Sequence, residues 1–247
     1  MKALLIKLRI YKKEAVDIGR ELLSLPDGYL AKKGKFYYNR FNRVDTGITK
    51  KPAIIKQLCR KMYLLARKKQ LVHNLSLSID DLDKFDNRSP KELIRSLPAV
   101  YQNLPISYFY HPDIEGWLAQ DYAKHPYPPT EWNYTTENGV QVRSKSEFHI
   151  ATKLEENGIP YRYDAKITLA GKTEYPDFII RNPFTGKTIL WEHFGALHLS
   201  GYEKKMNEKM DLYLANGYTL YDTIISTFEY QVKNAHRIQI LIEEMIL

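Results

Sequence analysis

The chain has 247 residues, of which 44% are apolar and 27% are charged, proportions that are ordinary for a soluble globular protein. Its single cysteine, Cys59, excludes an internal disulfide and a zinc site built from cysteines. The opening residues MKALLIKLRIYKKE contain only a short apolar run, which is too short for a signal peptide or a membrane span. We therefore expect a soluble, cytoplasmic protein without a membrane partner.

Positive charge is concentrated at the start of the chain. Residues 1–75 hold 19 Lys and Arg against 5 Asp and Glu, a net charge of +14, whereas residues 76–247 carry a net charge of −6. Because clustered Lys and Arg contact phosphates, this asymmetry favours nucleic acid as a partner of the first part. The alternatives are a basic face that is only solvated, and one that binds an acidic protein.

The basic part is predicted to be mainly helical, with a short strand segment. Apolar spacing predicts a helix over residues 1–25, and residues 29–50, with KFYYNRFNR at their centre, alternate like short strands. A longer helix begins at Pro52, and shorter ones are expected over residues 76–97, with a start at Ser89. Candidates for phosphate contact on the long helix are Arg60, Lys61, Arg67 and Lys68.

Residues 98–135 lack clear periodicity, and we expect an irregular connection there. A domain boundary near residue 130 would separate a basic region, 1–130, from a second domain, 131–247. The second domain reads as an α/β fold with a mixed sheet, in the order α-β-β-β-α-β-α. Its helices are predicted at 143–158, 201–217 and 228–247, and its strands at 160–169, on either side of the NPFTG turn, and at 218–227.

Two acids interrupt the strands of the stretch YPDFIIRNPFTGKTILWEHFG. Asp177 opens the first strand, and Glu192 breaks the apolar run of the second. An ionised carboxylate inside a sheet is costly unless a cation or a hydrogen-bond donor compensates it. Glu147 repeats the anomaly, because it shares a helical stripe with Ile150 and Leu154. For Glu147 alone, a first-turn glutamate favoured by the helix dipole is the alternative.

A lysine lies on the inward stripe of the 201–217 helix. Lys209 is in line with Tyr202, Met206 and Tyr213, at spacings of four, three and four residues. The alternative is a lysine whose stem packs while its ammonium group reaches water. Three acids and a lysine from four elements can face one cleft, and carboxylate oxygens suit Mg²⁺ or Mn²⁺. A metal ion would explain why these acids are tolerated.

These residues, together with RSKSE, YPDF and WEHFG, resemble the PD-(D/E)XK nuclease superfamily over roughly residues 134–230. The resemblance implies a restriction-endonuclease-like core in which Asp177, Glu192 and the backbone carbonyl of His193 bind the metal. It implies that Glu147 holds a metal directly or through water. The lysine of that family usually follows the glutamate by two residues, where this chain has Phe194, and Lys209 is the best substitute.

His193 should point to the opposite face of the sheet if its strand is regular, although a bulge could turn it into the site. Arg143 and Lys145, beside Glu147, are further candidates for contact with a nucleic-acid phosphate. The resemblance implies a metal-dependent nuclease, more plausibly an endonuclease acting on DNA than an enzyme acting on RNA. Alternatives are an inactive DNA-binding relative, a subunit that docks an acidic protein through its basic region, and a homodimer.

Overall fold

The computed structural model describes residues 2–126, 133–197 and 199–247. The chain divides into two compact units, which we call unit 1 (Met1–His111) and unit 2 (Pro112–Leu247). The boundary expected near residue 130 lies outside the described residues. Both units mix helices with strands, as the α/β prediction required. None of the described helices is long and apolar enough to cross a membrane.

Unit 1 consists of helices and a small antiparallel sheet, and it follows the predicted order. Its helices are α1 (Lys2–Leu22), α2 (Pro52–Ser76), α3 (Pro90–Arg95) and α4 (Ala99–Gln102), with 3₁₀ turns at Ile79–Lys84 and Ile106–Phe109. Its strands are β1 (Tyr29–Lys33), β2 (Phe36–Phe41) and β3 (Val44–Gly47), which pair in that order. Ser89 caps α3 through a reciprocal box with Glu92, as its sequence signature indicates.

Residues 98–135 are more regular than the sequence suggested. They contain α4, the turn Ile106–Phe109 and, in unit 2, α5 (Asp113–Ala119). Tyr101 and Phe109 are fully buried. Prolines precede each of these short helices, and elements of four to seven residues are too short to produce a readable period. The expectation of an irregular connection was therefore wrong for the described part of this segment.

Two arginines that are candidates for phosphate contact form ion pairs within unit 1. Arg60 donates two hydrogen bonds to the Glu21 carboxylate, of 2.7 and 2.8 Å, and its side chain is only 5% exposed. Arg67 forms the same bidentate ion pair with Glu14, through hydrogen bonds of 2.8 and 2.9 Å. Lys61 donates to the carbonyl of Pro26 at 2.8 Å. These groups link α2 to α1 and to the loop before β1, and their donors are directed inward.

Unit 2 is built around a four-stranded mixed sheet. The sheet strands are β6 (Tyr161–Tyr163), β9 (Phe178–Arg181), β10 (Thr188–Phe194) and β11 (Ile224–Phe228). They lie in the spatial order β11-β10-β9-β6, and only β10 and β11 are parallel. The remaining strands are β4 (Tyr134–Thr135), β5 (Gln141–Val142), β7 (Ile167–Leu169) and β8 (Lys172–Glu174), and the remaining helices are α6 (Lys145–Glu156), α7 (Tyr202–Ala215), α8 (Glu229–Val232) and α9 (Ala235–Met245).

The two faces of this sheet bury different helices, because alternate residues of each strand point to opposite sides. One face packs Phe178, Trp191 and Ile225 with residues of α6 and α9. The other face packs Ile179 and Leu190 with Tyr213 of α7. Each residue of β9 or β10 can therefore be assigned to the α6 face or to the α7 face.

Three predicted elements differ in detail from the structure. The strand expected over 160–169 is split into β6 and β7 at Asp164, whose backbone is left-handed with φ of 52°. The strand expected over 218–227 begins only at Ile224, because Thr219 accepts turn hydrogen bonds from Asp222, Thr223 and Ile224. The last helix is interrupted between α8 and α9, where Asn234 caps α9.

Replacing Arg60 by alanine should destabilise unit 1 by at least about 2 kcal/mol, because Glu21 would lose its partner in a largely buried pair. This value lies below the loss for a fully buried pair, since Glu21 is partly exposed. Hydrogen exchange at the amides of α1 and α2 would report the loss. Lys69→Ala changes an exposed cation on α2 and should leave exchange unchanged. Equal exchange in both variants would contradict a structural role for Arg60.

Candidate active site

Asp177 and Glu192 lie side by side on the α7 face of the sheet. In the antiparallel β9–β10 pair, Trp191 lies opposite Phe178. Glu192, which follows Trp191, and Asp177, which precedes Phe178, are therefore neighbours at the end of the pair. Both share the parity of Ile179 and Leu190, which pack on α7. The sheet thus brings together the two acids that its sequence made conspicuous.

Asp177 is surrounded by other charged groups, and its side chain is only 13% exposed. One carboxylate oxygen accepts a 2.6 Å hydrogen bond from the backbone N–H of His193, and the other lies 3.8 Å from Arg143 Nη2. Burial raises the pKa of Asp177 well above its ordinary value, and the charges of Glu192 and Glu147 raise it further. The charged form of this carboxyl group is therefore strongly disfavoured unless a further cation compensates it.

Glu192 is fixed by two residues of α7. Its carboxylate accepts hydrogen bonds from Lys209 Nζ at 2.9 Å and from the Tyr213 hydroxyl at 2.6 Å. Lys209 also donates to the carbonyl of Tyr175 at 2.9 Å. Burial raises the pKa of Glu192, and the Lys209 charge and both hydrogen bonds oppose that rise. One turn of α7 therefore orients the carboxylate that lies beside Asp177.

The ammonium group of Lys209 lies within this cluster, as its stripe position indicated. Burial alone would lower the pKa of Lys209, but the charges of Glu192 and Asp177 outweigh burial and raise it. Lys209 is therefore a fixed cation rather than a neutral base. Phe194, at the position where the resembled family carries lysine, is buried and has the rings of Tyr202 and Phe228 beside it.

Glu147 performs the local role that was its alternative and also reaches the cluster. One oxygen accepts hydrogen bonds from the backbone N–H groups of Arg143 and Ser144, at 3.1 and 2.8 Å, and so completes the capping box of α6. The same oxygen accepts a hydrogen bond from the Tyr163 hydroxyl at 2.9 Å. Its other oxygen lies 3.7 Å from Arg143 Nη2. The cap holds Glu147 rigidly at the edge of the sheet.

Arg143 links three acids, one of which the sequence analysis missed. Its guanidinium group lies 3.7 to 3.8 Å from Glu147, Asp164 and Asp177. Asp164 is buried at the left-handed position that ends β6, and burial raises its pKa. Asp164 Oδ2 makes no hydrogen bond to any residue that the structure describes. The backbone N–H of Asp164 donates to the carbonyl of Asp177, which ties the two acids together.

The remaining candidates lie outside this cluster. The His193 side chain points to the α6 face, where its ring nitrogens lie 3.2 Å from Thr227 Oγ1 and 3.2 Å from Glu229 Oε2. Only its backbone N–H contacts Asp177. Lys145 is exposed on the first turn of α6. Arg60, Lys61, Arg67 and Lys68 belong to unit 1.

Sequence reasoning missed Asp164, Tyr163 and Tyr213 as members of the cluster. Tyr213 was on the same helical stripe as Lys209, and that spacing could have identified it. Asp164 is an acid inside a predicted strand, the same anomaly that identified Asp177. Tyr163 gave no local signal, because its neighbour Glu147 is known only from the folded chain.

The donors of the cluster suit a divalent cation in both charge and chemical type. With all four carboxylates ionised, the two cations Arg143 and Lys209 leave a net charge of −2, which one divalent ion would neutralise. Carboxylate oxygens suit Mg²⁺, which commonly uses only one or two protein carboxylates with water and substrate phosphate. Within the described part of the chain, no three His, Cys, Asp or Glu side chains are already arranged around one metal position. The residue chemistry therefore fits Mg²⁺ or Mn²⁺ through Asp177 and Glu192.

Comparison with known proteins assigns no family. No family model matches the chain, and no solved structure matches it. The chain is 35% identical to an uncharacterized protein of Methanocaldococcus jannaschii over 142 residues, which are 57% of this chain. The matched region spans only 11% of that much longer relative. Because that relative is itself uncharacterized, the function of this chain is inferred from the carboxylate cluster.

Stability should depend on pH through Asp177. Because its folded-state pKa lies above the ordinary value of 3.8, the folded protein binds the proton more tightly than the unfolded chain. The free energy of unfolding should therefore fall as pH rises from about 3.8 through the folded-state pKa. Asp177→Asn cannot lose a proton, so we expect it to be more stable than the native chain at pH 7, with the difference shrinking as pH falls toward 3.8.

Denaturant unfolding followed by tryptophan fluorescence would measure this difference, because all three tryptophans lie in residues 112–247. Asp211→Asn, which changes an exposed acid on α7, is the matched control and should follow the native pH profile. If the free energy of unfolding of Asp177→Asn depends on pH as steeply as that of the native chain, the pKa of Asp177 is not raised as expected.

Proposed function

We propose that unit 2 is a metal-dependent nuclease domain of the PD-(D/E)XK type, with a restriction-endonuclease-like core, that hydrolyses phosphodiester bonds in DNA. The observation that carries the proposal is the juxtaposition of Asp177, Glu192 and Lys209 on the α7 face, with Glu147 at the edge. Asp177 and Glu192 would hold Mg²⁺ or Mn²⁺ through their carboxylates, with the backbone carbonyl of His193 as a further ligand. Glu147 would act directly or through water.

Each role follows from the contacts of this chain. A bound metal ion would lower the pKa of its water and polarise a phosphate oxygen. Tyr213 and Lys209 keep the Glu192 carboxylate in one orientation, because both donate to it. The Lys209 ammonium group, which remains protonated, can stabilise negative charge that develops on the phosphoryl group. Arg143 is 24% exposed and can offer its guanidinium group to a substrate phosphate.

A second candidate is a nuclease fold that only binds DNA. The observation that favours it is Phe194, which fills the usual lysine position with a buried ring. Against it stands Lys209, which places an ammonium group 2.8 Å from the Glu192 carboxylate by another route. An active enzyme is therefore the better-supported proposal. Cytoplasmic location, endonuclease action, and a homodimer or protein partner through the basic region belong to the same proposal.

Nicking of supercoiled plasmid in Mg²⁺ or Mn²⁺ would test the proposed activity. Asp177→Ala should abolish nicking, because it removes a ligand from the site. Lys209→Ala should reduce the rate by roughly 10²- to 10³-fold, the usual cost of losing one donor that stabilises developing charge. Lys205→Ala removes an exposed lysine one turn earlier on α7, and its rate should remain within about twofold of the native rate.

Three outcomes separate the candidates. Nicking that persists in Asp177→Ala would reject the site. Native activity in Lys209→Ala would reject the role of the displaced lysine. Plasmid binding without product in either metal would favour the inactive module, and Mn²⁺ titrated calorimetrically into the native chain and Asp177→Ala would then show whether the site binds metal at all.

A further inference from the structure

Three of the four residues of α2 that are candidates for phosphate contact have partners within unit 1. On α2, Arg60, Lys61 and Arg67 are turned inward to acids or carbonyls. By contrast, residues 29–47 hold five Lys and Arg against one Asp, a net charge of +4 over the small sheet. Lys33 and Lys35 are exposed there. The sheet therefore exposes a cluster of positive charge, whereas three cations of α2 are engaged within unit 1.

One face of this sheet combines the cations with aromatic rings. Register pairs Tyr29 with Arg40 and Lys33 with Phe36, and paired residues of an antiparallel sheet share a face. Tyr38, two residues from Phe36, lies on the same side. We call this surface the basic-aromatic face; its members are Tyr29, Lys33, Phe36, Tyr38 and Arg40.

The rings of this face remain open to solvent. Tyr29 is 47% exposed and Phe36 is 49% exposed. Lys33 Nζ lies 5.5 Å from the centre of the Tyr38 ring, and Lys35 Nζ lies 5.6 Å from the centre of the Phe36 ring. Large exposed aromatic side chains that lie beside cations, rather than singly among neutral residues, are typical of a binding surface.

Asp45 links two cations of the face without cancelling its positive charge. Its carboxylate accepts two hydrogen bonds from Arg40, of 2.6 and 2.8 Å, and lies 2.8 Å from Lys33 Nζ. The Arg40 hydrogen bonds, followed by that of Lys33, lower the pKa of Asp45, so this anchor stays ionised. Because one acid holds two cations, a net positive charge remains beside the rings.

We propose that the basic-aromatic face of unit 1 binds single-stranded nucleic acid. Unstacked bases can stack on Tyr29 and Phe36, while the neighbouring Lys and Arg contact the phosphates. Phe36 is paired with Lys33, which lies four residues from Tyr29 along β1. The rings of Tyr29 and Phe36 are therefore about 13 Å apart along the strand direction. In a duplex, the bases already stack on one another, so exposed rings add little. Binding at this face uses none of the residues of the carboxylate cluster and does not require nuclease activity.

Fluorescence anisotropy of a labelled 20-nucleotide poly(dT) strand would test the proposal on the full chain. EDTA in the buffer makes binding independent of any metal. Tyr29→Ala combined with Phe36→Ala should weaken binding at least about tenfold and leave its salt dependence unchanged, because stacking is lost while the charges remain. Lys33→Gln with Lys35→Gln should instead reduce the salt slope by about 1.4, the expected value for two phosphate contacts on a single strand.

Two controls separate stacking from damage to the sheet. Phe41→Ala removes an equally exposed ring, 46% exposed, from the opposite face of β2 and should bind as the native chain does. Tyr29→Phe with Phe36→Tyr retains both rings and should restore binding. The proposal fails if the alanine pair binds normally, if Phe41→Ala loses as much affinity, if the aromatic exchange does not restore binding, or if poly(dT) does not bind at 50 mM salt. It also fails if a duplex of equal length binds as tightly.

Discussion

The burial of the Asp177 carboxylate among other acids is the constraint on which unit 2 depends. Its neighbours Glu147 and Glu192 raise its pKa, and Arg143 and Lys209 only partly offset them. Burying such a group does not stabilise the fold, so its presence indicates a functional role. Buried carboxylates with a strongly raised pKa are typical of sites that bind a cation or perform chemistry. The cap of α6 holds Glu147, and two residues of α7 hold Glu192. The end of the β9–β10 pair places Asp177 beside them.

Because side chains alternate between the two faces of the sheet, adjacent residues of β10 lie in two different environments. Glu192 faces α7, where Lys209 and Tyr213 fix it, and His193 faces α6 with Thr227 and Glu229. The backbone N–H between them still serves the site, because it donates to Asp177. A regular strand therefore suffices for this arrangement, and no bulge is needed to use both residues.

Much of this arrangement could be predicted, because period and punctuation are local properties. The stripe that places Lys209 beside Tyr213, and the acids that interrupt β9 and β10, were readable from spacing alone. Arg143 was a candidate for phosphate contact, but its place between three acids could not be read from the sequence, because the left-handed turn that brings Asp164 there arises only in the folded chain. Charge counts located the basic region but not its exposed side, because an arginine paired with Glu21 or Glu14 looks the same in sequence as a free one.

Anomalous diffraction from crystals of the chain soaked in Mn²⁺ would show whether Asp177 and Glu192 bind a metal ion. We expect an anomalous peak within coordination distance of both the Asp177 and the Glu192 carboxylates, and its disappearance in crystals of Asp177→Asn. A peak elsewhere, or no peak at Mn²⁺ concentrations that saturate ordinary carboxylate sites, would show that these acids do not hold a metal ion. The acids would then be a structural cluster balanced by Arg143 and Lys209 alone.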